Sequence, residues 1–321
     1  MSFLNINAGE KVELDAPKGV PEQVHLFDQK SIDAINAALA ARRPLLIRGE
    51  PGVGKSQLAR AAAKSLKRAY VSYVVDAHSE SRDLLWHFDA VQRLADAQLG
   101  TALGETAEVV KEKLHVDNYL HPGPLWWAFD WQNAKDQAEK LNEEPPHQFA
   151  GCLPENGCVI LIDEIDKAEA DLPNGLLEAL GEGRFTPMGR KAPICVSEVF
   201  PLVMITTNED RALPNAFLRR CLVLHLDLFE QKDPVTTLVK RAKAHFQDLD
   251  EESVIKPAAE QLLNDRAMAK ANQQQSLPGQ AEFFDLLRAV NTLSADGKGT
   301  PKQLIEKVAP YVMKKQAGAK E

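Results

Sequence analysis

The chain has 321 residues, with 44% hydrophobic and 26% charged side chains and a formal net charge of −8. This is the composition of a globular protein of roughly two domains with a substantial core, and it excludes a disordered or fibrous chain. The acidic balance argues against non-specific wrapping of nucleic acid, and no apolar run approaches the ~20 residues of a transmembrane helix.

Residues 1–23 contain Pro17, Gly19 and Pro21 and read as an irregular lead-in. They lack the basic-then-apolar pattern of a secretory signal, so the expected location is cytoplasmic. A helix is predicted from Asp28 to Ala41, with Ile32, Ile35 and Leu39 on one face and Pro44 beyond its end. Leu45-Leu46-Ile47 reads as a buried strand, a glycine-rich loop follows, and an alanine-rich helix is predicted from Gln57 to Ala69. Tyr70 to Val75 is a second strand. The stretch 80–150 is less regular: Asp83-Leu84-Leu85-Trp86 starts a helical pattern, Leu94 to Lys113 fits no single period, and His121-Pro122-Gly123-Pro124 is a break. Leu125 to Leu141 predicts one helix carrying Trp126, Trp127 and Trp131, read as core or subunit contacts. Cys158 to Ile162 is a strand buried on both faces, Leu172 to Leu180 a helix closed by Gly181, and Phe200 to Thr206 and Leu222 to Leu226 two further strands. Strands of this apolar type alternating with helices predict an α/β fold with a parallel sheet covered on both sides. Beyond Phe229 only helices are predicted, at Val235–Phe246, Ile255–Asn264, Gln280–Leu293 and Pro301–Lys314, so a small all-α domain closes the chain. Lys314-Lys315 at the last helix end suit its dipole. Cys152, Cys158, Cys195 and Cys221 lack zinc-type spacing and read as reduced, mostly buried thiols, and the eight histidines form no metal-binding pattern.

The loop Gly49-Glu50-Pro51-Gly52-Val53-Gly54-Lys55-Ser56 has the G-x-x-x-x-G-K-S spacing of a phosphate-binding loop. Set between a strand and a helix N-terminus, its backbone N–H groups form an anion site. Gly52 and Gly54 allow a close approach that a side chain would block. Lys55 is placed for the β- and γ-phosphates, Ser56 for Mg²⁺, and Gln57 completes the contact segment. The strand ending in Asp163-Glu164 fits as its partner, a Walker B signature in which Asp163 holds Mg²⁺ and Glu164 polarises the attacking water. Asn208 follows a strand end and suits either the γ-phosphate and lytic water or plain turn chemistry. Arg219-Arg220 suits either an arginine supplied to a neighbouring subunit or a solvated helix face.

In this order the motifs resemble those of the AAA+ ATPases over roughly residues 24–290, with Asn208 as sensor 1 and Arg219-Arg220 as arginine finger. Within that superfamily the chain is similar to the MoxR family of the helix-2-insert clade. Asp83-Leu84-Leu85, Pro122-Gly123-Pro124-Leu125, Asp163-Glu164-Ile165-Asp166-Lys167-Ala168, Leu176-Leu177-Glu178-Ala179-Leu180 and Glu182-Gly183-Arg184-Phe185 carry that resemblance. It implies an α/β nucleotide-binding domain at 24–228 with the clade's inserted hairpin at 84–120, and a helical lid at 229–321. It also implies ATP and Mg²⁺ as ligands, a hexameric ring, chaperone-like work and a von Willebrand A-domain partner. One departure stands out. Leu277-Pro278-Gly279-Gln280-Ala281 occupies the place of the family's sensor 2 arginine, and Gln280 carries no charge, which leaves Arg288 as an alternative further along the helix. A doubled finger leaves Arg219 and Arg220 both open. Two other readings stand beside the protein remodeller: a nucleic-acid translocase of the same clade, and a scaffold that binds nucleotide with little turnover. The absence of an Asn-Lys-x-Asp element does not decide ATP over GTP.

Overall fold

The computed structural model describes residues 3–15, 23–274 and 277–313. Its elements run β1 (Lys11–Leu14), β2 (Gln23–Leu26), α1 (Gln29–Ala41), β3 (Leu45–Arg48), α2 (Lys55–Leu66) and β4 (Arg68–Val74). There follow β5 (Trp86–Phe88), α3 (Ala90–Ala102), α4 (Ala107–Lys113), β6 (Leu120–Pro122), α5 (Pro124–Phe129), α6 (Trp131–Lys140) and β7 (Leu153–Asp163). Then come α7 (Asp171–Glu182), β8 (Arg184–Phe185), β9 (Ile194–Cys195), β10 (Leu202–Thr207), α8 (Asn215–Leu218) and β11 (Leu222–His225). The chain closes with α9 (Pro234–His245), α10 (Lys256–Ala271), α11 (Gln280–Ala295) and α12 (Pro301–Met313). Two compact units result: residues 1–7, 28–48 and 58–224 form one, and residues 8–27, 49–57 and 225–321 the other.

In the first unit five strands form one sheet in the order β11-β3-β10-β7-β4. The registers are parallel, with Thr207 beside Arg48, Ile205 beside Ile162 and Val74 beside Asp163. Leu45 to Ile47, Val159 to Ile162 and Leu202 to Ile205 are buried throughout, as unbroken apolar runs require when helices cover both faces. This is the expected α/β architecture. The parallel register also brings the carboxyl ends of β3, β10 and β7 to one edge of the sheet. Strand β4 lies at the other side, where the Gln148 amide accepts from Tyr70 N at 2.6 Å and donates to Tyr70 O at 3.1 Å, occupying backbone groups that an edge leaves open.

Several element boundaries differ from the sequence expectation. Helix α2 stops at Leu66 rather than Ala69, because Lys67 turns left-handed (φ 53°) and β4 begins at Arg68. The expected single helix from Leu125 to Leu141 is two. Asp130 leaves helical geometry (φ −142°, ψ 87°) and its carboxylate caps α6 by accepting from Asn133 N at 3.1 Å. Gly181 lies inside α7, and Gly183, left-handed at φ 64°, is the residue that ends it. The segment 80–88 is a short 3₁₀ turn followed by β5, not an α-helix. The ambiguous stretch 94–113 is helical, divided between α3 and α4. β5 and β6 pair antiparallel, but two helices rather than a tight turn connect them. Trp126 is fully buried, its Nε1 donates to Asn133 Oδ1 at 3.0 Å, and the Arg190 guanidinium lies 4.7 Å from its ring centroid. Three cysteines are buried and Cys195 is exposed, all as free thiols. Burial pushes the Cys221 thiol up to about 11.

In the second unit the helices α9 to α12 close over Leu238, Ile255, Leu262, Phe283 and Leu287. The expected irregular lead-in carries regular structure: β1 pairs antiparallel with β2, with Val12 opposite His25. Pro17, Gly19, Pro21, Lys314 and Lys315 lie outside the described residues. His245, at the end of α9, packs against Phe284 with ring centroids 4.6 Å apart. Burial, with the Arg288, Arg241 and Lys11 charges behind it, pushes this imidazole down to about 4 against the opposing hydrogen bond to the Val24 backbone. The unfolded chain therefore takes up this proton first as pH falls. The contribution of His245 to stability is complete above the ordinary value of 6.5 and is lost as pH falls through about 4. Denaturant unfolding of wild type and His245→Gln is expected to show the stability difference between them shrinking as pH drops across that window. A constant difference would refute the assignment.

Candidate active site

The glycine-rich loop belongs to the second unit and departs from β3. Its backbone is left-handed or beyond at Gly52 (φ 78°) and Gly54 (φ 98°), conformations that a side chain resists. A Cβ on Gly52 would also sit 2.9 Å from the Ala281 Cβ, so that position is closed by packing as well as by φ. Lys55 opens α2, and its buried ammonium donates to Gly49 O at 2.6 Å and Glu50 O at 3.0 Å. The loop thus wraps a cation at a helix N-terminus, the charge and the dipole that a polyphosphate would meet. Two arginines of the helical segment grip the same loop. Arg241 of α9 donates to Val53 O at 3.3 Å and bonds Gln280 Oε1. Arg266 of α10 is buried, pairs with Glu50, donates to Pro278 O at 3.0 Å and lies 3.9 Å from the Phe229 ring centroid. A cleft beside the loop is lined by His25, Val53, Gly54, Gln57, Arg241 and Gln280.

The carboxylates belong to the first unit, at the carboxyl ends of β7 and β10. Thr206 Oγ1 donates to Asp163 Oδ1 and accepts from Glu164 N at 2.9 Å. One buried hydroxyl therefore fixes both the side chain of Asp163 and the backbone of Glu164. Glu164 is left-handed (φ 58°, ψ 47°), which turns the chain sharply off the strand. Its Oε1 accepts from Asn208 Nδ2 at 3.1 Å. Asn208 is itself held by Asp166, a buried carboxylate that accepts from Asn208 N at 3.2 Å and Asp210 N at 2.8 Å. The structure thus brings together Asp163, Glu164 and Asn208. For Mg²⁺ the donor chemistry of each unit fits by itself: the Asp163 carboxylate of the first and the Ser56 hydroxyl of the second are hard oxygens of the kind this ion takes.

Arg219 and Arg220 follow α8 and are exposed. They are not equivalent. Arg220 Nη1 donates to Ala216 O at 3.2 Å, so that guanidinium is turned back on its own helix. The Arg219 guanidinium makes no hydrogen bond or ion pair among the described residues. The backbone carbonyls of both accept from Arg43, at 3.0 Å from Nε to Arg220 O and from Nη2 to Arg219 O.

The family model of the AAA domain, dynein-related subfamily, matches residues 44–221, more than half of the chain. The chain belongs to this AAA family. Among solved structures, this AAA protein is similar to a candidate ATPase from Cytophaga hutchinsonii ATCC 33406, with 14% identity, 88% of this chain and 79% of that chain covered, and a TM-score of 0.38. It is also similar to a RuvB variant of Thermotoga maritima, with 17% identity, 88% and 68% coverage, and a TM-score of 0.48. Neither likeness bears on what the AAA protein does. No curated protein matches it. Among the described residues no helix is long and apolar enough to cross a membrane.

The sequence assigned no holding role to Thr206, Asp166, Arg241 or Arg266 of the AAA protein, although Asp166 stands in the 163–168 motif block and Thr206 at a strand end. The local trace of Thr206 is a polar pair closing an otherwise apolar strand; Arg241 and Arg266 left none. Gln280, in the place of the family's lid arginine, is buried and bonded to Arg241, while Arg288 pairs with Asp285 on its own helix at 2.8 Å. In this chain the guanidinium groups that reach the loop are those of Arg241, from α9, and Arg266, from α10.

Proposed function

We propose that this AAA protein hydrolyses ATP. Loop 49–57 is its phosphate cradle, in which Gly49, Glu50, Pro51, Gly52, Val53, Gly54 and Gln57 supply backbone and contact surface and Lys55 donates to β- and γ-phosphate oxygens. Mg²⁺ held by Ser56 and Asp163 would neutralise charge on those oxygens. Glu164 takes a proton from water as its oxygen attacks the γ-phosphorus and the bond to the β,γ-bridging oxygen breaks, leaving ADP and phosphate. Asn208 keeps the Glu164 carboxylate aimed. The observation that carries this reading is the Glu164–Asn208 pair at 3.1 Å, beside an Asp163 fixed by Thr206. A base that is aimed before substrate arrives suits catalysis better than an idle carboxylate. The same pair argues against a scaffold with little turnover, the reading that Gln280 would favour.

The finer assignment we propose is a MoxR-like remodeller, supported by the motif blocks at 163–168, 176–180 and 182–185. On it the chains form a ring, sixfold by family likeness, each offering Arg219 to the adjoining chain's nucleotide, and a von Willebrand A-domain protein is the partner expected. The test of the core reading is calorimetric titration with a non-hydrolysable ATP analogue and Mg²⁺. Lys55→Ala is expected to lose roughly 10–100-fold in affinity, the value of a hydrogen bond to a charged group. Undiminished affinity would remove the loop from the account.

A further inference from the structure

The two arginine carbonyls lie at the end of a four-residue helix, where backbone acceptors lack intrahelical donors. Arg43 supplies them. Its own backbone is anchored first: Arg42 is left-handed (φ 52°) and closes α1, and Arg43 N donates to Ala38 O at 3.2 Å. The guanidinium then spans two successive carbonyls with Nε and Nη2, a fork that a lysine cannot reproduce. Next in the chain, Pro44 O accepts from Leu222 N at 2.8 Å, which fastens the other side of the same turn to the start of β3. The turn bearing Arg219 and Arg220 is thus held at both sides by residues 43 and 44.

We infer that Arg43 is a positioning residue for the arginine pair, and that hydrolysis in the adjoining subunit depends on it. The inference rests on the ATPase reading given above. Arg43 acts through the backbone from which Arg219 projects, by donating to the carbonyls of Arg219 and Arg220. A displacement of about 1 Å at a catalytic group can cost about 10²-fold in rate. Arg43→Ala is therefore expected to lower kcat about 10–100-fold, with nucleotide affinity within about twofold of wild type and an unchanged melting temperature in the nucleotide-bound ring.

The deciding measurement is subunit mixing. Arg43→Ala chains keep their own phosphate loop and Glu164; Glu164→Gln chains keep their own arginine turn. Where a Glu164→Gln chain serves an Arg43→Ala site, the junction is complete, so the mixture is expected to exceed both parents. If Arg43 acted only on its own β3 and loop, no junction would be complete and activity would not rise, which overturns the inference. Wild-type kcat in Arg43→Ala also overturns it. A mixture of the Arg219→Ala, Arg220→Ala double variant with Glu164→Gln serves as the reference. Failure of that reference to regain activity defeats the trans-acting arginine itself, and wild-type chains without turnover defeat the ATPase reading. Should Arg43→Ala not fold, Arg43→Lys, which keeps the charge but not the fork, is judged by the same two criteria with an intermediate loss.

Discussion

Glu164→Gln is expected to bind ATP as wild type does and to turn it over roughly 10²–10⁴-fold more slowly, the usual value of a positioned general base. The substitution removes little else. Glutamine keeps the length and an amide oxygen that still accepts from Asn208 Nδ2, now 3.1 Å from Glu164 Oε1. The left-handed backbone at 164 and its bond to Thr206 Oγ1 do not depend on the side chain. The predicted signature is therefore a loss in kcat with analogue affinity unchanged, read from steady-state phosphate release and from calorimetry. If kcat falls by less than a few-fold, Glu164 is not the base and another group must take the water's proton.

Arg219→Ala is expected to cost more, about 10³–10⁵-fold in kcat, as arginine fingers do where they complete a site from outside. The sequence left Arg219 and Arg220 on equal terms. The structure separates them, because Arg220 spends a donor on Ala216 O and so lies back along its own helix, while Arg219 has no such tether. Arg220→Ala is accordingly expected to lose far less than Arg219→Ala in the same phosphate-release measurement. The reverse order would show that Arg220 swings out on assembly and would transfer the role to it.

Much of this molecule is readable in one dimension. The phosphate loop is eight contiguous residues whose chemistry lies in backbone N–H groups and glycine φ angles, so local sequence suffices to specify it. The strands β3, β7 and β10 show as apolar runs because burial on both faces leaves no room for polar residues. Two of the errors fall where a single residue competes with periodicity. Asp130 interrupts an otherwise helical stretch because its carboxylate caps the next helix, and Gly183 rather than Gly181 ends α7 because only there does the chain turn left-handed.

By itself, then, the amino-acid order determined the buried strands of the sheet and most of the helices, where the anion-binding turn lies and which carboxylates end a buried strand, but not the short strand pairs β1–β2 and β5–β6. Tertiary structure decided which side chains hold those parts in position. Thr206 reaches Asp163 across 43 residues of chain, Arg43 reaches Arg219 across 176, and Arg266 reaches Glu50 across 216. A hydrogen bond between residues so far apart leaves no periodic mark, because its partners become neighbours only when strand order and helix packing have set them there.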